Sequence, residues 1–326
     1  MKAARSEDEK TMNSVGTTRI PTCPQRQNAP KAPLMFQGTY TALITPFRNG
    51  TVDYDAFRAL IDRQAAAGIT GILPVGTTGE SPTVTTEEHL EIIRVAIEHN
   101  AGRMQVVAGT GANATAEAIH LTKAAEEMGA DSSLQVCPYY NKPSQEGLYQ
   151  HYKAVADSTK LPLMLYSVPG RSSIAIAPET AARLANDCPN ILSLKEAGGS
   201  VDRINQLVQA VPEGFELLSG DDPLTLPFMA CGATGLVSVA ANIVPEVMVK
   251  LVNACLASDY KEALALQKQY YPLFNALMSL DTNPVPIKSA AVMMGHCADE
   301  FRLPLVGLSS ENSTQLRSVL KEFQLL

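Results

Sequence analysis

From Phe36 onward, eight short and mostly apolar runs alternate with segments of helical period, and this pattern leaves few folds open. The runs are Thr39–Thr45, Thr70–Val75, Met104–Gly109, Ser132–Cys137, Leu161–Tyr166, Asn190–Lys195, Phe215–Ser219 and Thr234–Val239. Strands buried on both faces read as continuous apolar stretches, and parallel strands need long crossovers, usually helices. Clear helix-period segments between the runs are Asp53–Ala67, Thr85–Asn100, Ala114–Gly129 and Pro178–Asn186. The second of these opens with Thr85 and Glu88 at capping-box spacing. Eight such units over about 200 residues suit a closed α/β barrel, the (β/α)8 or TIM barrel, better than an open doubly wound sheet.

After Val239 only helical patterns follow, at about 245–257, 260–278, 286–296 and 310–324. The expected domains are therefore a barrel over 35–243 and a small C-terminal helical region over 244–326. Residues 1–34 are polar, lack periodicity and read as a disordered N-terminal extension, with Met12 and Met35 both candidate translation starts. Glu7-Asp8-Glu9 and the missing apolar stretch argue against a signal or transit peptide.

The formal net charge of −7 and the lack of a basic cluster argue against a nucleic-acid partner. No run approaches the roughly 20 apolar residues of a membrane span. The six cysteines are scattered and fit a reducing, cytoplasmic setting. The five histidines never fall at ligand spacing, so neither a metal nor any other cofactor is expected.

In such a barrel the chemistry sits where strands end and the loops after them begin. Lys195 closes an apolar strand and is followed by Glu196-Ala-Gly-Gly199. An ammonium there is costly unless it loses its proton or gains a partner, and a neutral lysine can attack a carbonyl. Side-chain alternation puts Lys195 on one face with Ser193 and Ile191, the expected interior, and Leu192 and Leu194 toward the helices. The same local pattern also fits a surface Lys-Glu pair. Other strand ends carry plain alternatives too. Gly76-x-x-Gly79 fits a tight turn, Asp221 and Asp222 fit a cap on the next helix, and Tyr139-Tyr140 fits packing. Arg171 fits a solvated loop, and Gly109-x-Gly111 lacks the third glycine and the acidic partner of a dinucleotide loop.

Taken in order, six motifs resemble the dihydrodipicolinate synthase / N-acetylneuraminate lyase family of class I aldolases. They are Gly76-Thr-Thr-Gly-Glu-Ser81, Gly109-Thr-Gly-Ala-Asn-Ala-Thr-Ala-Glu117, Pro138-Tyr-Tyr-Asn-Lys-Pro-Ser-Gln-Glu-Gly147, Tyr166-x-Val-Pro-x-Arg171, Lys195-Glu-Ala197 and Ser219-Gly-Asp-Asp222. The resemblance runs from Met35 to the C-terminus. It implies that Lys195 forms an imine with pyruvate and that Tyr166 is the general acid/base. It implies a hydroxyl relay through Thr77 and through Tyr140 of a neighbouring subunit, in a homotetramer built from tight dimers. Thr78 is implied to hold the pyruvate carboxylate, Arg171 the carboxylate of aspartate semialdehyde, and Gly220 and Val237 to line the site. An inhibitory site for L-lysine is implied at Ser81, His89, Asn113, Glu117 and Tyr139. Thr86, smaller than the residue sensitive relatives often carry, implies a looser pocket there.

The implied reaction is the Schiff-base condensation of pyruvate with L-aspartate 4-semialdehyde to 4-hydroxy-tetrahydrodipicolinate, on the route to lysine. Sister aldolases, N-acetylneuraminate lyase and the 2-keto-3-deoxy sugar acid aldolases, share the imine. Arg171 and Gly220-Asp-Asp222 follow the semialdehyde pattern instead. A non-catalytic pyruvate-binding barrel would be expected to lose Lys195, Tyr166 or Thr77. The departures are Ser167, Ser172 and Ser173, where the family reads Asn, Thr and Gly, and the lost glycine is expected to reshape the loop carrying Arg171.

Overall fold

The computed structural model describes residues 35–326; the expected extension over 1–34, including Met12, lies outside the described residues. Eight parallel strands close a barrel in the order β1-β10-β9-β8-β7-β6-β5-β4. They are β1 (Gly38–Ala42), β4 (Gly71–Leu73), β5 (Gln105–Gly109), β6 (Ser132–Val136), β7 (Leu163–Ser167), β8 (Ile191–Glu196), β9 (Glu216–Ser219) and β10 (Gly235–Ser238). The covering helices are α1 (Tyr54–Ala66), α2 (Thr86–Asn100), α3 (Thr115–Met128), α4 (Gln145–Asp157), α6 (Pro178–Asp187), α7 (Val201–Ala210), α8 (Thr225–Ala230) and α9 (Pro245–Leu256). The short α5 (Pro169–Ser172) follows β7, and α10 (Tyr260–Ser279), α11 (Val285–Met293) and α12 (Ser310–Glu322) complete the chain. Among the described residues no helix is long and apolar enough to cross a membrane.

Helix starts follow local chemistry. The Thr85 hydroxyl accepts from the Glu88 amide, and the Glu88 carboxylate accepts from the Thr85 amide, closing the capping box at α2. Such a cap contributes about 1 kcal/mol. Strand ends follow it as well. The expected run to Val75 stops at Leu73, because Pro74 offers no amide donor and Val75 turns to a left-handed φ of 53°. A small hairpin, β2 (Phe47–Arg48) with β3 (Thr51–Val52), was not expected. Its signal was Asn49-Gly50, whose positive φ values of 54° and 78° suit a tight hairpin turn.

The eighth unit moves the expected domain boundary. Helix α9 packs on β1 and β10, covering the seam where the barrel closes. The division at 243/244 therefore cuts away a barrel helix, and only α10–α12 lie beyond the eightfold pattern. The closing strands would otherwise leave apolar outer side chains such as Leu236 uncovered.

Two apolar layers result. Tyr40, Leu73, Val107, Leu134, Met164, Tyr166, Leu218 and Val237 fill the barrel interior. A larger layer lies between strands and helices. Strand β8 breaks simple alternation. Leu163 pairs with Ile191 but Met164 pairs with Ser193, so a bulge inserts Leu192. Ile191 accordingly packs in the outer layer and Leu192 against the interior, the reverse of the alternation expected for these two residues. Leu194 remains outward, as expected.

Candidate active site

Beyond the bulge, Lys195 stands in register beside Tyr166 of β7. Its ammonium lies 4.2 Å from the centroid of the Tyr166 ring. The strand runs one residue further than expected, and Glu196 points the opposite way. There its carboxylate accepts from Arg203 Nε at 2.8 Å and from the Gly198 amide at 2.7 Å. This geometry removes the surface Lys-Glu pair as an explanation of Lys195: the lysine is 6% exposed and Glu196 is engaged elsewhere. Burial pushes the Lys195 amine down to about 7, with Asp222 opposing that shift and Arg171 adding to it. An amine in that range is largely neutral just above pH 7 and so available as a nucleophile.

Gly220 makes room for this side chain. A Cβ there would fall 2.8 Å from Lys195 Cε and 2.8 Å from the Ala197 Cβ, so any larger residue would push the lysine away. Asp222, two residues on, is fully enclosed. Its carboxylate accepts from Ser238 Oγ at 2.6 Å and from the amides of Val239 and Ala240 at 3.0 and 2.9 Å. It caps the turn after β10, not the helix that follows it, and so ties the ends of β9 and β10 together beside Lys195.

Above Tyr166 opens a cavity of about 230 Å³. Its walls include Thr77, Ser81, Gly109, Tyr139, Tyr166, Arg171 and Ser172. Burial pushes the Tyr166 phenol up, and the Arg171 charge and the neighbouring Thr77 side chain oppose that push. The turn bearing Thr77 is held by Gly79 N to Gly76 O at 3.0 Å, Glu80 N to Thr77 O at 3.1 Å, and Thr45 Oγ1 to Gly79 O at 2.7 Å. Gly109 has to be bare as well, because a Cβ there would meet the Val75 carbonyl at 2.5 Å.

The other expected residues fall as follows. Thr78 is buried beside Thr77, and its hydroxyl accepts from Asn283 Nδ2 at 3.0 Å. Arg171 reaches from α5 and donates through Nη2 to the Asn283 carbonyl at 2.6 Å. Val237 lies in the barrel interior. Tyr140 is 91% exposed, has a left-handed φ of 72°, and stays out of its own chain's cavity. Ser81 and Tyr139 line the same cavity as Thr77. Asn113 Nδ2 lies 3.4 Å from the Tyr139 carbonyl, and the Glu117 charge helps to raise the Tyr139 phenol. His89 differs: it is buried, and its Nε2 bonds the Gly109 carbonyl at 2.7 Å, so it supports the cavity wall from behind.

The three departures fall as follows. Ser167 pairs with Glu196 in β7–β8 and lies outside the cavity lining. The Ser172 hydroxyl bonds the Ile174 carbonyl at 2.7 Å. Ser173 adopts the left-handed conformation (φ 63°) that glycine would take freely, so the serine carries a local backbone cost of about 1 kcal/mol.

The profile of the dihydrodipicolinate synthetase family matches residues 35–323. A 4-hydroxy-tetrahydrodipicolinate synthase of Aquifex aeolicus is 48% identical over 291 residues, 89% of this chain and 99% of its own. The chain belongs to the dihydrodipicolinate synthetase family. The crystal structure of the Aquifex aeolicus dihydrodipicolinate synthase superposes with a TM-score of 0.88 over 89% of this chain and 99% of that one. A family member from Acinetobacter baumannii, solved in complex with pyruvate, is 42% identical, with a TM-score of 0.86 over 89% of this chain and 99% of its own. One from Cyanidioschyzon merolae, solved with lysine bound, is 39% identical, with a TM-score of 0.86 over the same shares.

Sequence reasoning missed two residues of this site in the family fold. One is Asn283, which touches both Thr78 and Arg171. The other is Lys288 of α11, fully buried and bonded to Glu80 Oε1 at 2.6 Å beneath the Thr77–Thr78 turn. Lys288 had a signal: it is the lone charge in the apolar stretch Val285–Met293. Asn283 had none, since an asparagine before a proline reads as an ordinary loop residue.

Proposed function

We propose that this enzyme condenses pyruvate with L-aspartate 4-semialdehyde to 4-hydroxy-tetrahydrodipicolinate through an imine on Lys195. The carrying observation is a buried amine, lowered to about 7, at the end of β8 and against Tyr166. The neutral amine adds to C2 of pyruvate, and loss of water leaves an iminium. The iminium withdraws electrons, so the methyl group loses a proton and becomes a nucleophilic enamine. The enamine carbon bonds to the aldehyde carbon, whose oxygen takes a proton. The substrate's own amine then displaces Lys195 from C2, closing the ring and freeing the enzyme.

Tyr166 moves the protons, with Thr77, which lines the same cavity, as its relay partner. Thr78 receives the pyruvate carboxylate, and Arg171 at the cavity mouth receives the semialdehyde carboxylate. Gly220 and Val237 keep the interior small and apolar around the imine. The test is an assay with pyruvate plus aspartate semialdehyde, run beside pyruvate plus N-acetylmannosamine. Turnover is expected with the first pair; turnover with the second alone would assign a sister aldolase activity.

The active unit in this reading is a homotetramer of tight dimers in the cytoplasm, with Tyr140 completing the neighbour's relay. Its exposure and left-handed backbone support that role, since neither serves its own cavity. Mixing Tyr140→Phe with Tyr166→Phe subunits should restore some complete sites; no activity above either parent would sink the crossing. L-Lysine inhibition is proposed at Ser81, Asn113, Glu117 and Tyr139, with His89 behind them. Glu117 offers a carboxylate for an ammonium, close enough to Tyr139 to act on its phenol. Initial rates should fall at millimolar L-lysine and recover in Glu117→Thr; insensitivity of the parent enzyme would exclude the site.

A further inference from the structure

The segment between α10 and α11 reaches the mouth of the barrel with one residue, Asn283. Its side-chain Nδ2 donates to Thr78 Oγ1 at 3.0 Å, and its main-chain carbonyl accepts from Arg171 Nη2 at 2.6 Å. Its Oδ1 is buried and has no hydrogen-bond partner among the described residues. The donor end of this amide is therefore the end that is used.

That polarity matters. A hydroxyl whose oxygen accepts from an amide keeps its own hydrogen free for another acceptor. We infer that Asn283 is a positioning residue that aims the Thr78 hydroxyl at the carboxylate of the keto acid bound over Lys195. This rests on the reading of the site given above, and it adds a contribution from outside the eightfold barrel. Two consequences separate it from general support. Only the side chain touches Thr78, and only the main chain touches Arg171. Changing the side chain should therefore weaken the first substrate and spare the second.

The decisive variant is Asn283→Asp, which has the same shape and the opposite hydrogen-bonding sense. Its carboxylate would accept a hydrogen bond from the Thr78 hydroxyl, turning that hydrogen away from the substrate, and place a negative charge beside that of the substrate. Asn283→Ala only removes the donor. KM for pyruvate should rise about 3- to 10-fold in Asn283→Ala and about 10- to 100-fold in Asn283→Asp. KM for aspartate semialdehyde should change less than about 2-fold in both, because the carbonyl that holds Arg171 remains. In a Thr78→Val background the added effect of Asn283→Asp should shrink to about 2-fold or less, as for residues acting through one contact. Borohydride trapping of pyruvate on Lys195 at saturating pyruvate should persist in every variant.

Equal rises in both KM values, or an undiminished Asn283→Asp effect in Thr78→Val, would reduce Asn283 to structural support and overturn the inference. An unchanged pyruvate KM in Asn283→Asp would overturn it as well, with the imine chemistry intact. A parent enzyme that traps no pyruvate on Lys195 would instead overturn the reading of the site, and this inference with it.

Discussion

Two lysines are buried among the described residues, and their surroundings make them different chemical objects. Lys288 lies under the Gly76–Glu80 turn with Glu80 Oε1 at 2.6 Å and the Phe47 ring at 4.0 Å. Burial pushes its amine down, and the bonded Glu80 offsets that shift only in part. Lys195 is buried at the end of β8 with the Tyr166 ring at 4.2 Å and, among the described residues, no carboxylate bonded to it. The acid whose charge acts on it, Asp222, already accepts three hydrogen bonds from the end of β10 and the turn after it. Both side chains are buried, Lys195 at 6% and Lys288 at 0% exposure. The difference is where the carboxylate is spent: bonded directly it makes a clamp, and bonded elsewhere it leaves an amine free to shed its proton.

The largest test of this contrast is chemical. Pyruvate with borohydride should leave a stable adduct on Lys195 and none on Lys288, read by mass spectrometry after digestion. Lys195→Met should lose the adduct and several orders of magnitude in turnover. Label on Lys288 would erase the distinction.

The next test is energetic. Lys288→Met strands Glu80 as an unpaired buried charge and should cost about 3–5 kcal/mol of stability. Adding Glu80→Gln should recover most of that loss, to within about 1 kcal/mol of the parent, in denaturant unfolding. A single variant as stable as the parent would mean that the pair is no clamp.

The third test is pH. Lys195 titrates near 7 in the folded chain against 10.5 for an ordinary lysine. Between those values the unfolded chain holds a proton that the folded chain has released, so this group makes stability rise with pH across that window. Lys195→Met lacks the slope. It should exceed the parent in stability near pH 7, by on the order of 2–4 kcal/mol, with the gap narrowing toward pH 10. A constant gap would place the lysine's titration elsewhere. Imine formation in the parent should in turn increase through about pH 7 as the neutral amine appears.

Much of the scaffold was legible because local signals repeat. The apolar runs located all eight strands, and Thr85 with Glu88 marked the start of α2. The strand-end motifs hold five residues that line the cavity, Thr77, Ser81, Tyr139, Tyr166 and Arg171, whereas Lys195, Thr78, Tyr140, Gly220 and Val237 lie outside its lining. What failed was whatever depended on a neighbour's register. Ile191 and Leu192 exchanged faces because a bulge in β8 is set by pairing with β7, and pairing leaves no mark in a single strand. His89 faces inward, its Nε2 bonded to the Gly109 carbonyl 20 residues on, a contact that its own helix does not announce.

The sequence by itself determined the alternation of strand and helix, the family, and which side chains stand at the barrel mouth. These follow from periodicities of two and 3.6 residues and from short motifs, all local properties. Only the tertiary structure decided which buried lysine is a clamp and which is free to react. The Lys288–Glu80 contact spans 208 residues and the Asn283–Thr78 contact 205. An amine's proton affinity is set by the charges and water within a few ångströms of it, and folding alone chooses those neighbours.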